Sequence, residues 1–143
     1  MKQKIDSEVV DARLRELSHR LQRVAAKKPA SLKLLAADED LQDILARNLT
    51  LAIQAALDIA YHLCAANEVL PATSGDAFTQ LAACGLIKQD LADRLVRAVG
   101  FRNVLIHEYT EVDWKIVMRV MRTDVSDLAA FGRAVVALLD QDA

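Results

Sequence analysis

At 143 residues and 53% hydrophobic, the chain has the usual size of one domain and enough apolar surface to bury a core, which excludes a disordered chain. Aromatic residues make up only 4%, Gly and Pro number four and two, and the formal net charge is −2; the expected core is Leu, Ile, Val and Ala on long helices with short connections. The opening residues MKQKIDSEVV are charged, and no stretch approaches about eighteen uninterrupted apolar residues, so neither a signal peptide nor a membrane span is expected and the expected location is cytoplasmic.

The first predicted helix runs from about Ser7 to Ala26, with Asp6 as N-cap. Val10, Leu14, Leu17, Leu21 and Val24 recur at steps of three and four and mark one buried stripe. KKPAS ends it, because Pro29 has no amide hydrogen and restricts Lys28 before it. Residues 1–35 hold nine Lys/Arg and four Asp/Glu, a net of +5; the other 108 hold nine and sixteen, a net of −7. This is either a solvated basic face or an electrostatic contact with RNA or an acidic partner, with Arg13, Arg20 and Arg23 as the first suspects.

The longest predicted element lies in LAADEDLQDILARNLTLAIQAALDIAYHLCAANEVLP, ending near Ala66. Its acidic run Asp38-Glu39-Asp40 suits a positive helix N-terminus. Leu41, Ile44, Leu45, Leu49, Ala52, Ile53, Ala56, Ile59, Ala60 and Leu63 form a wide apolar face. Arg47, Gln54, Asp58 and Tyr61 return to nearly one angle and form a polar stripe along it. That stripe reads either as a structural ladder of hydrogen bonds or as the back wall of a site or interface.

A short helix follows in TSGDAFTQLAACG, with Thr73 and Asp76 in capping-box relation and Gly85 as terminator. QDLADRLVRAVGFRNVLIHEY reads as the next long helix, with Leu91, Leu95, Val99 and either Phe101 or Arg102 along one side. Asp113 is expected to cap WKIVMRVMR, Trp114 to anchor it, and Asp124 to start a separate last helix, VSDLAAFGRAVVALLD. Cys64 and Cys84 lack zinc-ligand spacing and are expected to be reduced, buried small residues. His19 and His62 lack polar company and are read as non-functional. The expected architecture is all-α, one domain over 1–143, with four main helices and one or two short ones.

The chemistry concentrates in RNVLIHEY, residues 102–109. On a regular helix Tyr109 points almost the same way as Arg102, while His107 lies about 140° around from it. Arg102 and His107 then flank a groove, converge if the helix ends near Ile106, or meet across two copies of the chain. RNA carries its own nucleophile, the 2′-hydroxyl. Histidine suits its proton transfer, and arginine suits the charge that grows on phosphorus. No metal is required by this scheme, although acid–base cleavage wants two proton-transfer groups and each chain offers one His here. Taken singly, each residue also has a plain reading: a capping His, a solvated Arg, a packed Tyr, and Glu108 at the surface.

RNVLIHEY fits the R-x-x-x-x-H-x-Y motif of the HepT-like toxins of the HEPN superfamily, and Asn103 matches the polar residue favoured after the Arg. ARNLTLAIQAALDIAYHL, DAFTQLAACGLI and RLVRAVGFRNVLIHEYTEVD resemble successive segments of that family, and the resemblance covers about Ile5 to Leu139. It implies a HEPN-type bundle, a homodimer with a cleft between protomers, and a metal-independent endoribonuclease without a cofactor of its own. Arg102 and His107 are then catalytic with Asn103 in support. Tyr109 is the acceptor of AMP from ATP, transferred by a MntA-like nucleotidyltransferase antitoxin. Arg47 and Asp58 also fall at recurrent family positions. The competing readings are a non-catalytic module that binds a nucleotide or partners a nucleotidyltransferase, and a structural dimerisation bundle. An intact Arg/Asn/His/Tyr set argues against the last.

Overall fold

The computed structural model describes residues 4–142, and among them there is no strand. The helices are α1 (Ser7–Ala26), α2 (Leu32–Ala37), α3 (Glu39–Ala66), α4 (Ser74–Ala83), α5 (Gln89–His107) and α6 (Trp114–Asp142), with a single 3₁₀ turn at Tyr109–Glu111. Four are long and two short, as expected. Four of the starts have a local cause. Asp6 accepts from the Val9 amide, Ser31 from Leu34, Asp38 from Leu41 and Thr73 from Asp76. Only half of the expected capping box forms, because the Asp76 carboxylate takes the Ala72 amide instead of that of Thr73. α4 ends where Gly85 turns to φ +78°, and the Leu86 amide returns to the Leu81 carbonyl.

α3 is the central stave, and every other helix packs against it. Its middle is buried nearly all round, with Ala52, Ile53, Ala55, Ala56, Leu57, Ile59 and Ala60 all inside. The small side chains let α1, α4, α5 and α6 approach at once. Two apolar clusters result. The larger holds Phe78 and Phe131 edge to face at 5.3 Å. The smaller gathers Leu45, Leu49, Leu105, Val117 and Met121, with Tyr109 and Trp114 packed against it. α3 is also long and apolar enough to cross a bilayer by length and composition, yet most of that stretch is buried inside the bundle.

α3 starts at the acidic run and ends at Ala66 as expected, and Ser31 caps a further short helix, residues 32–37, before it. Two expectations need correction. Asp124 does not begin a last helix. α6 runs unbroken for 29 residues and exceeds α3 by one. Neither Gly nor Pro interrupts residues 114–131, and Val117, Met121, Asp124, Leu128, Phe131, Val135 and Leu138 continue one buried stripe at steps of three and four. Asp124 therefore occupies a core position, where burial first and the Asp127 charge second push its carboxyl up to about 7. Cys84 is exposed rather than buried, since it sits past the last apolar turn of α4; Cys64 is buried as expected, and both are free thiols.

Two of the suspected basic residues of α1 are held internally. Arg20 donates to Glu16 at 2.8 Å and to Asn48 at 3.1 Å, and Arg13 lies 3.8 Å from Asp58. His62 accepts the Asp6 amide at the start of α1, a structural task. His19 is exposed.

Candidate functional site

α3 and α5 run antiparallel, and the polar stripe of α3 faces the motif-bearing end of α5. The sequence placed Arg102 and Tyr109 on one side of a helix. In the structure both reach α3, although α5 stops at His107 and Tyr109 stands on the 3₁₀ turn beyond it. The helix ends because Glu108 takes φ −129°, ψ 32°, while its amide still bonds to the Val104 carbonyl.

Arg102 is half-buried. Its Nη1 donates to Gln54 Oε1 at 2.7 Å, and its Nε and Nη2 donate to Asn103 Oδ1 at 3.3 and 2.8 Å. Three of the five guanidinium N–H groups are thus used, which leaves two for a ligand. Both partners are neutral amides, so the positive charge is positioned without being cancelled. The Gln54 amide is itself oriented, because its Nε2 donates to Asp58 Oδ1 at 2.8 Å and so turns its oxygen to the guanidinium. Asp58 in turn faces Arg13. The stripe is therefore a ladder, and Gln54 on it is what positions Arg102. Tyr61 ends it with a bond to Ser74 at 3.1 Å, and Arg47 is exposed between the two points where α5 side chains land.

His107 closes α5 and is exposed, with no hydrogen bond or ion pair among the described residues. α5 runs through His107, so Arg102 and His107 stand about 140° apart around one helix and flank its end. Val104 and Ile106 beside it are 42% and 50% exposed, which leaves an apolar margin around the histidine. Glu108 is exposed, as expected.

Tyr109 packs edge to face on Trp114 with ring centroids 5.8 Å apart, and its hydroxyl donates to Asp43 at the surface. Burial of the ring, the Asp43 hydrogen bond and the charges of Asp43 and Glu39 hold this phenol well above its ordinary range. Asp43 was missing from the sequence reading. The signal was present, since Asp43 lies four residues before Arg47 and eleven before Gln54 and so begins the same stripe.

Both the sequence and the fold match known proteins. A family model described as "Ribonuclease HepT-like" matches residues 8–135. An mRNA nuclease HepT from Shewanella oneidensis is 38% identical over 95 residues, which is 66% of this chain and 71% of the relative. A crystal structure of a toxin–antitoxin complex with AMP-PNP is similar with a TM-score of 0.84 and 28% identity, over 91% of this chain and 98% of that one. A tri-AMPylated Shewanella oneidensis HEPN toxin in complex with its MNT antitoxin is similar with a TM-score of 0.83 and 29% identity, over 90% and 97% of the two chains.

Proposed function

The chain belongs to the HepT-like ribonuclease family, and from that premise we propose that it is the RNA-cleaving toxin of a HEPN/MNT pair, with Arg102, Asn103 and His107 at the cleavage site. The observation that carries this reading is the state of Arg102. It is fixed by two neutral amide oxygens and keeps both its charge and two free N–H groups. A phosphodiester presents the complementary anion. As the ribose 2′-oxygen bonds to phosphorus and the bond from phosphorus to the 5′-oxygen breaks, Arg102 neutralises the added charge, and His107 serves one of the two proton transfers, from the 2′-hydroxyl or to the leaving 5′-oxygen. Asn103 holds the guanidinium plane. The scheme uses no metal and no cofactor of this chain.

One His per chain leaves one of the two proton transfers to a second group. A homodimer supplies it, with the exposed Val104 and Ile106 as apolar surface around a shared cleft. Tyr109, two residues beyond His107, is the AMP acceptor. An MNT-type nucleotidyltransferase partner transfers AMP from ATP onto it, and the anionic group beside the cleft then competes with RNA for Arg102. A substrate RNA and a supply of ATP both support a cytoplasmic location for the pair.

The test is RNA cleavage and intact mass on one preparation, made alone and with the nucleotidyltransferase, beside His107→Ala and Tyr109→Phe. Cleavage should fall by about a hundredfold or more in His107→Ala. AMP-sized mass should appear only with the partner and should be absent from Tyr109→Phe. Cleavage indifferent to His107 would instead make the chain a nucleotide-binding or partner module.

A further inference from the structure

Among the described residues, the side chain that meets the Tyr109 hydroxyl is Asp43, on a different helix and 66 residues earlier. The contact is held from both sides. Asp43 is on the second turn of α3, one turn after Glu39, on a helix fixed at this end by the Asp38 cap. The phenol ring is seated on Trp114 against the smaller apolar cluster, which leaves the hydroxyl little freedom to choose another partner. The ring is half-buried, but the hydroxyl and Asp43 meet at the surface, where another protein can reach them.

We propose that Asp43 is the catalytic carboxylate that takes the Tyr109 proton during AMP transfer, so that this chain supplies the base for its own modification. The inference rests on Tyr109 as the acceptor. In the step, Tyr109 Oη attacks the α-phosphorus of ATP held by the nucleotidyltransferase. The Oη–P bond forms, the bridging P–O bond to the β-phosphate breaks, and pyrophosphate leaves with that electron pair. The phenolic proton passes along the existing hydrogen bond to the Asp43 carboxylate. A base is needed here for a physical reason. Burial and the two nearby carboxylates disfavour a preformed phenolate, so the proton must leave as the new bond forms. A carboxylate that disfavours the phenolate at rest is also the group placed to receive its proton.

AMP incorporation into the full chain by the nucleotidyltransferase, with ATP and Mg²⁺, separates the alternatives when intact mass is followed over time. The variants are Asp43→Asn, Asp43→Glu and Tyr109→Phe, and RNA cleavage by each unmodified protein is measured alongside. Asn keeps an oxygen for the phenol hydrogen bond but is not a base. Incorporation into Asp43→Asn should slow by about a hundredfold, Asp43→Glu should recover part of the rate, and both should still cleave RNA. Incorporation into Asp43→Asn at the unaltered rate overturns the proposal and leaves Tyr109 standing as acceptor. Loss of cleavage together with incorporation also overturns it, because one structural defect then explains both. AMP mass on Tyr109→Phe, or none on the unaltered chain, removes the acceptor reading and this inference with it.

Discussion

Two arginines on α5, eight residues apart, are held in opposite ways. Arg94 donates from Nε to the nearly buried Asp127 at 2.8 Å, beside Asp124, whose Oδ2 has no partner. Arg102 is held by the amide oxygens of Gln54 and Asn103. A carboxylate partner cancels a guanidinium and ties α5 to α6. An amide partner fixes the plane and leaves the charge in place. The residue type alone does not separate an arginine spent on structure from one left able to bind an anion; the charge of its acceptor does.

Substitutions at the two ends test that distinction. Arg102→Ala should lower RNA cleavage by about a hundredfold or more, with the melting temperature held, since it removes a group aimed at developing charge. Gln54→Glu converts the Arg102 environment into that of Arg94. Cleavage should fall by about tenfold as the guanidinium gains a carboxylate. A Gln54→Glu protein that cleaves RNA at full rate would show that neutrality of the partner is irrelevant. Arg94→Ala should cost about 1 kcal/mol in denaturant unfolding while cleavage persists, the smallest effect of the three and one of stability alone.

Helix boundaries were legible in the sequence wherever a cap or breaker sits at the joint. Asp6, Pro29, Thr73 and Gly85 each act locally, and α1 spans Ser7–Ala26 as read. The break expected at Asp124 failed because Asp is an N-cap only where the chain before it is not helical. With Val117, Met121, Leu128 and Phe131 buried on one side, packing carries the helix through. In the site, the motif named the α5 residues, and the stripe on α3 was seen without its purpose. What single-helix geometry could not supply was the pairing across helices: Gln54 with Arg102, and Asp43 with Tyr109. Those contacts depend on the approach of α3 to α5 and on the point where α5 stops, and neither is encoded in a single helical period.

The central place of α3 has a consequence during synthesis. Its apolar surface is covered from several sides by segments that lie both earlier and later in the chain, and α6 is the last to be made. Before its neighbours pack on it, α3 presents an apolar surface that passes for a membrane span by length and composition. The same stave carries Gln54 and Asp43, so their contacts with Arg102 and Tyr109 form only once the α5 end has packed on it. A site that depends on that stave is assembled only together with the fold itself.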